Sequence, residues 1–224
     1  TYDSMFRFWR LAARDKKLRQ TLMHPYGLNP ENQRNGPDGP DVAKPGRDRE
    51  AGTWTGMFLM APLNARIVRR THHLLGGAYG EQFSYSEMRG YGPGAGGWWR
   101  ATSRGVGWTS FMLFGLIPPT RWLLKRFVPS PGGGPSERKL QKGGFKLDLY
   151  AMVQGNGGAP LRGRVESELD FYRSTGLLAA ASAVCLAEDQ ADLPDLAGVL
   201  TPAAALGRPL LERLRRAGMT FTVE

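Results

Sequence analysis

The segment from Phe145 to Val153 constrains the fold more than any other part of this 224-residue chain. Its apolar side chains alternate with polar ones, which is the period of a strand with one buried face. A turn-forming run, Gly-Asn-Gly-Gly at 155–158, follows, and residues 161–169 then resume as a second strand. Two such strands joined by a short glycine turn pair as a hairpin. The sequence therefore predicts an antiparallel sheet rather than a regular alternation of parallel strands and helices.

Periodicity and stop signals place the other elements around this hairpin. Helices are predicted over residues 4–23, 62–75, most of 98–128, 172–187 and 206–217. Further strands are predicted at 83–86 and 219–223. Stretches rich in Gly and Pro predict a long surface loop at 27–53, a flexible glycine loop at 90–97 and a linker at 129–136. The predicted fold class is α+β, with a mostly antiparallel sheet packed with helices in one domain over residues 1–224.

The glycine loop contains a G-x-G-x-x-G string, formed by residues 92–97. In a dinucleotide-binding fold this string opens a helix and an acidic residue follows about 20 positions later. Here no acidic residue occurs between Glu87 and Glu137, and Pro93 suits a tight phosphate turn poorly. The string is therefore interpreted as a flexible loop, and the chain has no evident binding site for a dinucleotide.

Metal and nucleophile chemistry find no support in the sequence. Adjacent helical side chains point about 100° apart, so His72 and His73 cannot chelate one ion together. The single cysteine, Cys185, lies in an Ala-rich run and is interpreted as a buried core residue. We expect no metal site and no hydrolase nucleophile.

The predicted helix over 62–75 carries the strongest candidate for ligand binding. Its polar side chains include Asn64, Arg66, Arg69 and Arg70. Guanidinium groups bind carboxylates and phosphates through paired hydrogen bonds. These four residues are therefore candidate substrate-binding residues for an anionic group. The alternatives are a solvated basic face or ion pairs with acids elsewhere in the chain.

The stretch from 88 to 136 contains no Asp or Glu but holds six basic residues and four of the six tryptophans. Its apolar centre, 111–117, is too short to span a bilayer but suits a segment resting on lipid headgroups. The candidate lipid-contact residues are Trp108, Phe111, Phe114, Ile117, Trp122, Lys125 and Arg126. A buried core helix and a lid over an apolar ligand tunnel remain alternatives.

The net charge of +10 favours an anionic partner. Nucleic acid is disfavoured, because the aromatic residues alternate with aliphatic rather than polar ones and no nucleic-acid-binding motif is present.

Several segments in order resemble the saccharopine dehydrogenase-like oxidoreductases, including the bacterial trans-acting enoyl reductases. Residues 57–70, with 73–75 and 79–80, look like the central helix of that family and its exit. Residues 127–136 look like its Pro/Gly linker, and Gly144-Phe145 like the strand start that follows. Residues 198–207 and 210–221 look like its C-terminal signature, and 25–30 is similar too.

This resemblance implies a two-domain reductase with an N-terminal Rossmann domain that is missing from these residues. It implies NADP as the cofactor of the full-length protein, with none bound by this chain alone. It also implies a lipid or acyl substrate, and residues 198–224 would pack on the missing Rossmann domain. The implied location is intracellular, at a membrane surface or lipid droplet. A homodimer is left open.

The resemblance leaves the catalytic acid undefined. Tyr79 and Tyr85 are the candidates, because a phenol can protonate a developing carbanion. The alternative for both is a packed ring with a satisfied hydroxyl. The alternative function for the whole chain is a non-catalytic protein of a lipid-droplet or membrane surface that keeps the fold without the chemistry.

Overall fold

Two three-stranded antiparallel sheets organise the chain, one in each of two compact units that comprise residues 1–134 and 135–224. The structure, a computed structural model, describes residues 11–41, 44–117, 120, 143–153 and 159–224. The fold class predicted from the sequence, α+β with antiparallel pairing, is confirmed. The relation to a Rossmann-type reductase, and a single domain across 1–224, stay predictions.

The sheet of the first unit has the order β1-β2-β3, formed by Gly46–Asp48, Thr53–Gly56 and Arg89–Gly90. Strand β1 lies inside the predicted long loop 27–53, so that loop is partly ordered into a sheet edge. The predicted strand at 83–86 is wrong, since those residues pair with no strand and β3 begins only at Arg89. Their alternation has another cause, because Ser84 and Tyr85 bind a buried carboxylate, as set out below.

The described part of the first unit contains the helices α1 at Lys16–Met23, α2 at Ala61–Leu74 and α3 at Gly94–Leu116. The helix predicted over 4–23 is interrupted in its described part at Asp15, whose side chain accepts from the Leu18 amide and caps α1. Helix α2 agrees with the prediction and begins with Pro62 in its first turn, where a missing amide hydrogen costs little. Helix α3 packs on β2, with the Ala101 methyl group buried in the contact.

The glycine run is not a flexible loop, which corrects the interpretation of residues 90–97. Gly92 and Gly94 have φ angles of +88° and +71°, which turn the chain from β3 directly into α3. A Cβ on Gly97 would lie 2.0 Å from the Gly92 carbonyl oxygen, so only glycine allows this close approach. The predicted linker at 129–136 lies outside the described residues.

The second unit contains the hairpin that the sequence predicts. Strand β4, Phe145–Ala151, pairs antiparallel with β5, Leu161–Ser167, and β6, Thr220–Val223, completes the order β4-β5-β6. The predicted turn at 155–158 lies outside the described residues. The outer face of β4 and β5 is charged, with Lys146, Asp148 and Arg164 in ion pairs.

Helices α4, Phe171–Glu188, and α5, Pro202–Arg216, pack together in the second unit, near the predicted positions. The core comprises Cys185, Leu206, Leu210, Leu214 and Met219, with Phe145, Val165 and Phe221 from the sheet packed against it. Burial of this apolar surface is the main stabilising contribution to the unit. Asp170 caps α4 by accepting from the amides of Tyr172 and Arg173.

A short glycine-containing turn connects the end of α5 to β6. Gly218 has a φ of +92°, and the Met219 amide donates to the Leu214 carbonyl oxygen, five residues back. This is the Schellman arrangement, in which a left-handed glycine ends the helix and the next residue contacts its last turn. Met219 is accordingly buried against Leu214.

Candidate functional site

The arginine face of α2 points inward, and its apolar face points outward. Arg66 is 6% exposed and Arg69 is 4% exposed. On the opposite side, Leu63 is 50% exposed and Ile67 is 36% exposed. A buried guanidinium group requires hydrogen-bond partners and a counter-charge. The candidate anion-binding face of the helix is therefore part of the interior of the first unit.

Asp38 supplies the counter-charge for Arg69. The Arg69 Nε donates to Asp38 Oδ2 over 2.5 Å, and its two Nη atoms donate to the carbonyl oxygens of Pro25 and Tyr85. The same carboxylate accepts hydrogen bonds from Ser84 Oγ, from the Tyr85 amide and from the Tyr26 hydroxyl group. Asp38 thus ties α2 to the segments before and after it.

Burial by itself raises the pKa of Asp38. The hydrogen bonds from Ser84 and Arg69 and the charge of Arg69 lower it by more, so the pKa lies below its ordinary value of 3.8. Asp38 is therefore ionised at neutral pH, and Arg69 is neutralised within the chain.

Arg66 is paired in a similar way. Its Nη1 donates to both carboxylate oxygens of Asp41 at 3.0 and 3.3 Å, and its Nη2 donates to the Met23 carbonyl oxygen. Of the two alternatives for the basic residues, pairing with acids elsewhere describes Arg66 and Arg69. A role for them in substrate binding stays a prediction, and it requires a ligand that replaces Asp41 or Asp38.

The other two members of the predicted substrate site are arranged differently. Asn64 donates from Nδ2 to Glu87 Oε1 over 3.2 Å. Arg70 is half-buried and makes no ion pair within the described part of the chain. The structure therefore does not bring the four predicted residues together around one shared opening, and their role as a set stays a prediction.

The two candidate catalytic tyrosines lie in different surroundings. The Tyr79 ring is exposed and stacks on His72, with the ring centroids 5.3 Å apart. Burial, together with the charge of Glu87, raises the pKa of Tyr85 to about 12. A phenol with so high a pKa keeps its proton at neutral pH and donates it reluctantly. Tyr79 is the more accessible of the two.

The predicted lipid-contact residues are divided between the interior and the surface of α3. Trp108 and Phe111 are half-buried and stack on each other with centroids 5.3 Å apart. Phe114 and Ile117 are exposed. Trp122, Lys125 and Arg126 lie outside the described residues.

A more continuous apolar stripe runs along α3 than the sequence indicated. Trp99, Val106, Leu113 and Ile117 are all exposed. At about 100° per residue they fall within about 40° of one another around the helix. Within the described residues, no helix has the length and apolar character needed to cross a membrane.

The cleft beside this helix was not identified as a site from the sequence. It has a volume of about 270 Å³ and is lined by Arg89, Gly90, Tyr91, Arg100 and Arg104. The signal was present, since these arginines belong to the stretch without acidic residues, but only the turn from β3 into α3 brings them together. We call this feature the arginine cleft.

The turn into α3 does not form a dinucleotide site of the Rossmann type. Such a site requires parallel strands joined by a helix, whereas every strand pair in the described part of the chain is antiparallel. Within the same residues, no group of three His, Cys, Asp or Glu side chains is arranged to hold a metal ion.

Comparison with known proteins reveals close relatives over nearly the whole chain. A trans-acting enoyl reductase of Mycobacterium tuberculosis is 38% identical over 223 residues, covering 95% of this chain and 52% of the relative. The trans-acting enoyl reductase of Mycobacterium ulcerans is 34% identical over 225 residues, covering 95% and 53%. A second M. tuberculosis relative matches 99% of the chain at 38% identity.

The chain spans about half the length of the curated relatives it matches. No protein-family model matches the chain. No solved structure matches it.

Proposed function

We propose that this chain, which belongs to the trans-acting enoyl reductase family, forms the substrate-side part of an NADP-dependent oxidoreductase. The observation that carries the proposal is the 38% identity to a trans-acting enoyl reductase over 95% of the chain. An identity of this size over 95% of the chain supports a shared reaction class. A link to the saccharopine dehydrogenase-like oxidoreductases stays a prediction.

The proposed substrate is an α,β-unsaturated acyl group linked to a lipid. The enoyl part of the relatives' name supports the unsaturated acyl group. The exposed apolar residues along α3, Trp99 and Leu113 among them, support a long hydrocarbon chain as part of the ligand. Reduction of an enoyl group requires a proton at one carbon, and Tyr79 is the accessible phenol that we propose as its donor.

The NADP site is proposed to lie in a Rossmann domain outside these residues. The described residues do not fit the cofactor, because their sheets are antiparallel and because no acidic residue follows the G-x-G-x-x-G string at the required distance. The chain's own part is then to bind and orient the acyl substrate. Residues 198–224 are proposed to contact the Rossmann domain.

The test is a fluorescence titration with NADPH, using the full-length product of the gene that encodes these residues and the 224-residue chain in parallel. We expect saturable binding by the full-length product and none by the chain. Saturable binding by the chain would contradict the proposal that the NADP site lies outside these residues. Failure of both proteins to bind would contradict the reductase assignment.

The apolar stripe of α3 favours a second candidate, a protein of a lipid surface that lacks the chemistry. Its exposed side chains have the composition of an interfacial helix, with arginine as the only charged residue type along α3. Flotation with phosphatidylcholine vesicles tests it, using Val106→Ser/Leu113→Ser against Val199→Ser, a change at another exposed valine. Equal flotation of both variants would contradict a role for the stripe.

A further inference from the structure

The arginine cleft concentrates positive charge without an internal counter-charge. Arg89 comes from β3, and Arg100 and Arg104 are one turn apart on α3. In the described part of the chain, none of the three forms an ion pair with an acid. Like charges held close together repel one another, and this repulsion is relieved when an anion binds between them.

The backbone around the cleft is fixed by hydrogen bonds. The Tyr91 amide donates to the Trp54 carbonyl oxygen, and the Gly92 amide donates to Thr53 Oγ1 over 2.7 Å. These bonds extend the pairing of β2 and β3 up to the turn. The floor of the cleft therefore has one backbone conformation before any ligand arrives.

The arginine side chains are also oriented. Arg100 donates from Nε and Nη2 to the Tyr91 carbonyl oxygen at 3.1 and 2.8 Å, which leaves its Nη1 for a ligand. The Arg89 guanidinium group lies over the Tyr91 ring, 5.9 Å from its centre. Arg104 makes no hydrogen bond within the described residues through its side chain, so its whole donor fork is available.

The size and donor chemistry of the cleft select the ligand. A volume of about 270 Å³ is below the range of drug-sized ligand sites and suits one small group. A carboxylate offers two acceptor oxygens and satisfies one guanidinium fork, whereas a phosphate offers three or four oxygens and satisfies forks from several directions. We propose that the arginine cleft, formed by Arg89, Arg100 and Arg104, is a binding site for a phosphate group.

The phosphate group can come from two sources, and both present the same oxygen atoms to the arginines of the cleft. One is the headgroup of a phospholipid. The other is a phosphate ester in solution. The assignment of the cleft does not depend on the reductase proposal, because it uses neither NADPH nor turnover.

The test measures binding of inorganic phosphate to the 224-residue chain by titration calorimetry, and binding to phosphatidylcholine vesicles with and without phosphatidic acid by sedimentation. We expect saturable binding in at least one arm. Binding of inorganic phosphate without vesicle binding assigns the soluble source. Binding that requires phosphatidic acid in the vesicles assigns the lipid source. No saturable binding in either arm overturns the proposal.

Matched variants distinguish phosphate binding in the cleft from nonspecific binding by the basic residues of the surface. Arg89→Gln/Arg104→Gln removes two side chains that make no hydrogen bond within the described residues, and we expect at least a tenfold loss of affinity. Arg104→Glu places an acid in the cleft through one exposed substitution, and we expect binding to be abolished. Arg49→Gln removes an exposed charge outside the cleft and is expected to stay within twofold of the wild type. Equal losses in Arg49→Gln and the cleft variants would overturn the proposal.

Discussion

The Nε atom of Arg69 lies 2.5 Å from Oδ2 of Asp38, and both side chains are almost fully withdrawn from solvent. This ion pair closes the first unit across 31 residues of sequence. It also explains why the polar side of α2 faces inward, because a charge so deeply buried is stable only beside its partner.

Replacing Asp38 by Asn is expected to destabilise the first unit. The change leaves the Arg69 guanidinium group buried without its counter-charge, at a cost of about 3–5 kcal/mol. Urea unfolding followed by tryptophan fluorescence reports on this unit alone, because all six tryptophans lie before residue 134. Lys17→Gln, which removes the exposed Lys17–Glu31 pair, should leave the midpoint unchanged. Equal midpoints for Asp38→Asn and the wild type would contradict the structural role of the pair.

The second unit should lose stability in acid through Asp189. Hydrogen bonds from Arg213 lower the pKa of Asp189 to about 2 from its ordinary value of 3.8. Because the folded-state pKa is the lower one, the stabilisation is complete above about pH 4 and is lost as the pH falls towards 2.

Urea unfolding followed by circular dichroism at several pH values checks this, with Asp189→Asn as the comparison. The free-energy difference between the wild type and this variant should shrink as the pH falls from 5 to 2. A difference that stays constant over that range would show that Asp189 titrates alike in both states.

Gly97 and Gly96 make a matched pair at the start of α3. A methyl group at Gly97 would meet the Gly92 carbonyl oxygen at 2.0 Å, whereas one at Gly96 would meet nothing within 4 Å. We expect Gly97→Ala to cost about 2 kcal/mol or more, because the turn or the helix must shift. Gly96→Ala should gain up to about 1 kcal/mol from helix propensity. Tryptophan fluorescence during urea unfolding gives both values, and a stabilising Gly97→Ala would contradict the close approach.

Cys185 provides a specific probe of the second unit. It is the only cysteine in the chain and is fully buried, and burial raises the pKa of its thiol group. Leu214→Ala removes a neighbour in the same core, which costs about 2–5 kcal/mol in comparable sites. The rate of Cys185 labelling by a thiol reagent should rise accordingly. Val199→Ala, at a residue 92% exposed, should leave that rate unchanged, and equal rates for both variants would contradict the core assignment.

Local signals in the sequence predicted the elements whose cause is local. The alternation of Phe145, Leu147 and Leu149 predicted β4, because a period of two is set by the strand itself. The proline and glycine signals at the ends of α2 predicted its bounds for the same reason.

The failures concern contacts between distant residues. Nothing near Arg69 in the sequence shows that Asp38 neutralises it, so the buried side of α2 was not predictable from periodicity alone. The glycine run predicts a loop because stretches rich in Gly and Pro are typical of loops. Packing of α3 on β2 determines the helix there instead, and it also brings Arg89 near Arg104.

We propose that these residues serve enoyl reduction, and a turnover assay tests this proposal. The full-length gene product is mixed with NADPH and an α,β-unsaturated acyl thioester, and the absorbance of NADPH is followed. We expect substrate-dependent oxidation of NADPH by the full-length product, with none when a saturated thioester replaces the unsaturated one. A folded full-length product that oxidises no NADPH with unsaturated thioesters of short or long chains would contradict it.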